Sequence, residues 1–309
     1  MEVSVPAFAK INWFLEIQGK RPDSYHELNT LLQTIDLRDD LSFTLLNSGD
    51  LQLEVSGFCT GPVEENLVWK AARLLQAGGP KKGAYIRLRK RIPSGAGLGG
   101  GSSDAAITLL VLNRLWNRHL PLSELDQLAS SLGSDVPFFL RGGTAVGWGR
   151  GERIQALDDP FDGVPLLICY PGFSLSTSEV YRNSGFPLLG EPGAELTTSQ
   201  VEPKIRFFHK ALVDKTWALL HNDLEKPVLS RYPALREMKQ LLEDKGCTRV
   251  ILSGSGSSLL ALGTAASLEK AAREWADLKK GTCFLCQTLS RSRYWATLHQ
   301  STGVNLRAS

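Results

Sequence analysis

Cysteine is scarce in this chain: five residues in 309, an odd number without framework spacing, which excludes a disulfide-built secreted scaffold and points to a reducing compartment. Cys283 and Cys286 form a C-x-x-C pair, but TCFLCQTL alternates like a strand and would turn the two thiols to opposite faces. With no second pair in the sequence, metal and redox chemistry are set aside. No run of 18 apolar residues occurs, and MEVSVPAFAK lacks the charged-then-apolar pattern of a leader, so the expectation is a cytoplasmic protein without membrane contact. Charge is nearly balanced at +3 with no long basic run, which argues against a nucleic-acid partner. There is no repeat of fixed period. No Gly-Lys-Ser/Thr closes a glycine loop, so the Walker nucleotide site is excluded as well.

Glycine, by contrast, is concentrated. Between Pro93 and Leu112, Gly95, Gly97, Gly99, Gly100 and Gly101 crowd together before Ser102, Ser103 and an apolar run. Backbone N–H groups can close around an anion only where no Cβ intervenes, and a following helix adds unpaired N–H groups and a positive dipole end. The stretch therefore reads as a phosphate loop feeding a helix; a tight turn at a helix start is the plainer alternative. Gly95, Gly97 and Gly100 formally satisfy G-x-G-x-x-G, but the charged AYIRLRKRIP before them and the absence of an acidic strand end near Leu120 do not suit a dinucleotide site. Lys81, Lys82, Arg87, Arg89, Lys90 and Arg91 precede the loop. They read either as a positive field for an anionic ligand or as a solvated edge strand.

Elsewhere the periodicity predicts two short strands in residues 2–17 broken near Pro6, with Lys10 and Asn12 on one face and Ile11 and Trp13 on the other. GKRPDSYHEL is a turn exposing Tyr25 and His26, and LSFTLL and LQLEVSG read as a hairpin. Helices are expected at 66–77, at 104–116, where apolar residues run nearly all round, and from a capping box at Ser123 to Gly133. Asp135 then sits among Val136, Pro137 and two phenylalanines, either as an N-cap or Asx-turn or as a charge with a partner and a task. A boundary is placed in DDPFDGVP, giving domains 1–158 and 159–309. The second would hold the strand PLLICY, helices over 203–220, at HNDLEKPVL and at LREMKQLLEDKG, the Gly/Ser turn in VILSGSGSSLLAL, a helix near 266–280 and the strand TCFLCQTL.

Three Gly/Ser clusters, at 93–103, 133–151 and 253–258, together with Lys10 and Asp135, resemble the GHMP small-molecule kinases. AKIN (9–12), RPDSYHEL (21–28), PSGAGLGGGSSDAA (93–106), LGSDVPFF (132–139), PGFSLSTSEVY (171–181), HNDLE (221–225) and LSGSGSSLLAL (252–262) resemble, within that superfamily, the family of 4-diphosphocytidyl-2-C-methyl-D-erythritol kinases of the non-mevalonate isoprenoid pathway. The resemblance runs from residue 9 to 262 and is specific through the joint order of its motifs. It implies an α/β, two-layer α+β architecture: a ribosomal-protein-S5-like N-terminal domain and a smaller α/β C-terminal domain with the site in the cleft between them.

By the same resemblance Asp135 matches the catalytic aspartate and Lys10 its partner lysine. The ATP phosphate loop maps onto Pro93, Ser94, Gly95, Ala96, Gly97, Leu98, Gly99, Gly100, Gly101, Ser102 and Ser103, with Asn66, Leu67 and Lys90 near the adenine. Tyr25, His26, Thr177 and Tyr181, with Asn12, map to the substrate side and its cytidine. The implied cofactors are ATP and Mg²⁺, with Ser102 or Ser103 as a ligand or the ion mostly water-coordinated; no dedicated metal residues are expected. The implied partner is a small molecule bearing a cytidine diphosphate group, and the expected state a monomer or weak homodimer. Phe8, Trp13 and Ser24 depart from the family pattern, and Ser24 stands where a turn glycine with positive φ is usual. The rival readings are another GHMP kinase, acting on homoserine, mevalonate or a sugar, a Rossmann oxidoreductase, and a nucleotide binder without turnover. SYHEL favours the cytidine substrate, because the rival kinases' substrates have no nucleobase to stack.

Overall fold

Two long strands set the frame. The computed structural model describes residues 2–58, 61–79, 81–159, 161–189, 207, 209–210, 213–214, 216–277, 281–303 and 306–307. Strand β1 (Glu2–Lys20) pairs antiparallel with β2 (His26–Leu46), and the register shifts between Phe8 and Lys10, between Asn12 and Phe14 and between Ile17 and Gly19. The break expected at Pro6 is absent. Pro6 stands opposite Asp40 of β2, while on the other side of β1 the pairings among the described residues fall at Phe14, Leu15 and Lys20, away from Pro6, so its missing N–H interrupts no ladder on that side. The bulge after Phe8 does what the proline does not: Val3, Val5 and Ala7 enter one core, and Ala9, Ile11 and Trp13 another.

The expected hairpin after β2 is also corrected. Strand β4 (Gly83–Lys90) lies between β2 and β3 (Leu51–Gly57), antiparallel to the first and parallel to the second. Helix α1 (Leu67–Ala77) makes that crossover possible, its N-cap Asn66 accepting from the Val68 N–H. Helix α2 (Gly100–Leu115) is buried from Ser103 through Asn113, and burial of Leu109, Leu110 and Leu112 contributes about 1.5–3 kcal/mol each. Helix α3 (Leu122–Leu132) starts from Pro121 with no side-chain cap, so the capping box does not form; it ends at Gly133 as expected. A short helix α4 (Val136–Phe139) follows, and β5 (Thr144–Gly149) and β6 (Arg153–Ala156) make a hairpin that pairs β5 with the first half of β2.

The second sheet has the order β11-β7-β10-β9, antiparallel throughout, formed by β7 (Pro165–Tyr170), β9 (Arg249–Leu252), β10 (Leu259–Leu262) and β11 (Thr282–Gln287). Helices α5 (Thr177–Asn183), α6 (Glu225–Arg231), α7 (Pro233–Asp244) and α8 (Ala265–Asp277) accompany it. Cys283 joins the core containing Cys169, whereas Cys286 joins the core containing Trp13, so the C-x-x-C thiols do face opposite ways. HNDLE does not open as a helix: His221–Asn222 is a two-residue strand, β8, parallel to β1. Of the helix expected over 203–220, residues 203–206, 208, 211–212 and 215 lie outside the described residues, and 217–219 is a single 3₁₀ turn. Helix α9 (Arg291–Thr302) returns to the first core, where Tyr294 and Leu298 are buried with Phe8 and Phe139. No helix among the described residues is long and apolar enough to cross a membrane.

Candidate active site

A cavity of about 960 Å³ opens where the glycine loop, the middle of β1, the start of β2 and the 254–255 turn meet. Lys10 and Asn12 reach it from one face of β1, as alternation demands, with Ile11 and Trp13 buried behind them. The Lys10 ammonium donates to Asn12 Oδ1 at 2.8 Å, and Asn12 Nδ2 donates to Thr30 Oγ1 at 2.7 Å. Lys10 Nζ lies 3.3 Å from Asp135 Oδ2; the lysine side chain is 5 % exposed and the aspartate 34 %. Asp135 occupies the N-cap position of α4 but makes no side-chain cap, so its carboxylate is left to face the lysine. A buried ammonium and a half-open carboxylate thus meet at the cavity wall.

The loop from Pro93 to Ser102 lines the same cavity. Gly97 has φ +76°, and a Cβ there would lie 1.9 Å from the Ser253 carbonyl oxygen. Only glycine lets these two loops approach. Gly99, at φ +69°, forms the N-cap of α2, whose buried axis fixes where the helix N-terminus and its partial positive charge point. Ser102 faces the cavity, whereas Ser103 is buried and its Oγ has no hydrogen-bond partner among the described residues. Leu67 lines the cavity; Asn66 beside it is occupied as the α1 cap. Lys90 is elsewhere: its ammonium is buried against Asp39 and Asp104 and does not line the cavity. Two neighbouring basic residues are likewise engaged, Arg87 with Glu2 and Arg91 with Asp40, so these charges are paired rather than aimed at a ligand.

Apart from Lys10, the positive charge comes from places the sequence did not mark. Among the described residues lining the cavity, the cations are Lys10, Lys20, Arg150 and Arg182, and Asp135 is the one carboxylate. That balance suits a polyanionic ligand. At the far end, His26 packs against Tyr181 with ring centroids 5.1 Å apart and against the edge of Phe186 at 6.3 Å. Burial, then the charge of Lys20, lowers the His26 pKa, leaving a neutral ring with a donor and an acceptor nitrogen. Burial, then the charge of Asp135, raises the Tyr181 hydroxyl. Tyr25 is 53 % exposed, with the Arg150 guanidinium 4.7 Å from its ring centre. Ser24 before it has φ +70°, the conformation a turn glycine would take without strain.

Thr177, in the first turn of α5, has its hydroxyl 3.0 Å from that of Ser255. The third Gly/Ser cluster thereby joins the site. Asn222 explains why HNDLE accompanies it: its Nδ2 donates to the carbonyls of Leu252 and Gly254, and the Asp223 carboxylate accepts from the Ile17 N–H. Gly254, at φ +53°, leaves room for Lys10 and Asn12, whose polar atoms would lie 3.3 Å from a Cβ. Thr30, Arg150 and Ser255 were not singled out. Arg150 and Ser255 carry only membership of a Gly/Ser cluster whose facing direction the fold decides, and Thr30 lies in no motif.

Comparison with known proteins places the chain in a family. Residues 66–143 match the GHMP kinases N terminal domain and residues 208–280 the GHMP kinases C terminal domain. The chain is 42 % identical to 4-diphosphocytidyl-2-C-methyl-D-erythritol kinase of Pelotomaculum thermopropionicum, over 88 % of this chain and 92 % of that one. The chain belongs to the 4-diphosphocytidyl-2-C-methyl-D-erythritol kinase family. The corresponding protein of Solibacter usitatus is 38 % identical to this kinase over 98 % of the chain and 94 % of its own length. A crystal structure of 4-(cytidine 5'-diphospho)-2C-methyl-D-erythritol kinase superposes with a TM-score of 0.71 at 34 % identity, covering 93 % of this chain and 99 % of the other. Homoserine kinase from Cytophaga hutchinsonii, with a TM-score of 0.68 at 17 % identity over 94 % and 95 % of the two chains, shares the fold. The GHMP kinase fold and a small-molecule kinase activity follow from the family, with ATP as the phosphate donor that such kinases use.

Proposed function

We propose that this kinase transfers the γ-phosphoryl group of ATP to the 2-hydroxyl of 4-diphosphocytidyl-2-C-methyl-D-erythritol. The observation that carries the reading is one cavity with a glycine loop and helix N-terminus at one end, the Lys10–Asp135 pair on its wall and His26 against Tyr181 at the other end. Phosphoryl transfer passes through a loose transition state, so the protein's work is positioning and charge neutralisation. Asp135 orients the acceptor hydroxyl and takes its proton late, and Lys10 neutralises charge on the oxygen or the γ-phosphate. Asn12, held by Lys10 and Thr30, fixes where that ammonium points. Tyr25 and Tyr181 flank the pyrimidine, His26 hydrogen-bonds its edge, and Arg150 and Thr177 complete that end.

The glycine cradle and helix N-terminus fit the triphosphate, since a Cβ at Gly97 or Gly99 would meet neighbouring atoms at 3.0 Å or less. Magnesium, when bound, neutralises phosphate charge. Among the described residues there is no group of three or more His, Cys, Asp and Glu fit to hold a metal, so the ion would be held by the phosphates with Ser102 as its protein neighbour. The free thiols Cys169, Cys247, Cys283 and Cys286 support a reducing, cytoplasmic setting. We divide the chain at 158/159, with α9 returning to the first domain's core, and take the working form as a monomer or weak homodimer. The test is ADP release with 4-diphosphocytidyl-2-C-methyl-D-erythritol against homoserine, mevalonate and galactose. Turnover confined to the cytidine compound is expected, and preferred turnover of any other member would overturn the assignment.

A further inference from the structure

Beneath the glycine loop lies a group of charges that the transfer itself does not use. Lys90 ends β4, and its ammonium, 5 % exposed, donates to Asp39 Oδ2 of β2 and, at 2.8 Å, to Asp104 Oδ2 of α2. The two carboxylates are 0 % and 2 % exposed. Asp39 uses its other oxygen to accept from the N–H groups of Arg91 at 2.5 Å and Ile92 at 2.8 Å, the two residues just before Pro93. Asp104 lies at the other end of the loop, one turn into α2. The ammonium also sits directly behind the first helical residue, 3.0 Å from where a Cβ on Gly100 would be. One lysine thereby ties the backbone where the loop begins to the helix where it ends.

Such a cluster is costly as a source of stability, because several kcal/mol per ion are lost on removal from water. It holds one cation against two carboxylates. Burial pushes the Asp104 carboxyl up to about 7 although Lys90 draws it down, and Asp39 adds to the rise. The second oxygen of Asp104 has no partner among the described residues. An apolar set of similar volume would pack β4 against α2 at lower cost, but it could not fix two N–H groups and a helix turn in one relation.

We propose that Asp39, Lys90 and Asp104 act as positioning residues, a buried clamp across the base of the glycine loop that holds its N–H groups in the geometry required by the donor's triphosphate. The assignment rests on the loop binding that triphosphate. The cytidine end, built by the 21–26 turn, Arg150 and α5, shares β2 with the clamp but sits at the end of that strand away from Asp39 and does not depend on the clamp.

The experiment is a pair of titrations on the full chain, with a non-hydrolysable ATP analogue and with cytidine 5'-diphosphate, for wild type, Asp104→Ala and Asp104→Asn. Asp104→Ala cuts the tie between Lys90 and α2, and about ten-fold weaker binding of the ATP analogue is expected, with cytidine diphosphate binding unchanged. Asp104→Asn keeps an acceptor for Lys90 and should restore most of the loss. Unchanged analogue binding by Asp104→Ala, or equal losses for both ligands, overturns the proposal. Should Asp104→Ala not fold, Asp39→Asn is read by the same two titrations: its Oδ1 still caps residues 91 and 92, but an amide N–H₂ faces the ammonium. Failure of the functional reading looks different: wild type would bind the analogue yet release no ADP with the cytidine substrate.

Discussion

Gly97→Ala tests whether the two halves of the chain must meet backbone to backbone at the glycine loop. The new Cβ would stand 1.9 Å from the Ser253 carbonyl oxygen and 2.9 Å from its carbon. Carbon and carbonyl oxygen rest at about 3.3 Å, so the loops must part by more than about 1 Å. Two hydrogen bonds cross the separating seam, Ser253 Oγ to the Gly97 carbonyl at 3.2 Å and the Ser258 N–H to the Ala96 carbonyl at 3.2 Å. Losing both costs about 1 kcal/mol each. The left-handed conformation, φ +76° in the native loop, adds about 1–2 kcal/mol once a side chain is present. A stability loss of about 3–4 kcal/mol is expected in denaturant melts. A displacement of this size next to Lys10 should lower kcat/KM for ATP by about 100-fold in a coupled ADP-release assay. Turnover within about two-fold of wild type would show that the close approach is incidental and refute the argument.

Asp135→Asn keeps the shape at the Lys10 contact but removes the proton acceptor, so kcat should fall by about 10²–10⁴ while ATP binding by titration stays near wild type. Undiminished turnover would remove Asp135 from the chemistry. Ser24→Gly should relieve about 1 kcal/mol of left-handed strain at φ +70°, partly offset by a freer unfolded chain, and raise Tm slightly without raising KM for the cytidine substrate. A lowered Tm would mean that the Ser24 side chain holds the turn. For His26, burial and Lys20 lower the folded-state pKa below the ordinary 6.5, so the unfolded chain binds a proton that the native chain refuses. Stability should therefore fall as pH drops through about 6.5, and His26→Gln should flatten that decline in melts between pH 8 and 5.5. Parallel declines for both proteins would place the titrating group elsewhere.

The glycine loop, the buried helix after it and the paired direction of Lys10 and Asn12 were legible because each is local. A Cβ-free backbone, an apolar stretch without a polar face and an alternation of two are properties of consecutive residues. The errors concern partners distant in sequence. LSFTLL and LQLEVSG look like a hairpin until β4 enters between them, paired to both. The basic run before the loop looks like a field for a ligand until Glu2, Asp40, Asp39 and Asp104 take up the charges of Arg87, Arg91 and Lys90. Local pattern puts Lys90 between two arginines and on the same face as Ile86 and Leu88; only the fold says that two aspartates are waiting on that side. Asn66 shows the same limit in a smaller way, its polar group being used as a helix cap before any ligand could claim it.

The same distinction explains why motifs from opposite ends of the chain belong to one site. Lys10 can face Asp135 only if the 253–258 turn leaves space, which Gly254 provides, and only if that turn is held against β1. Asn222 and Asp223 do the holding, one by donating to the carbonyls of Leu252 and Gly254, the other by accepting from Ile17 of β1. β1 is thus shared: its ladder with β2 carries the lysine, and its short parallel pairing with β8 ties in the second half. Loss of the Asn222 amide should therefore impair turnover through Lys10, at a distance from any substrate atom, and the impairment should appear in kcat more than in cytidine binding. A polar residue buried at 6 % exposure, with all three of its hydrogen bonds spent on backbone, has no part in chemistry except through the loop that it shapes.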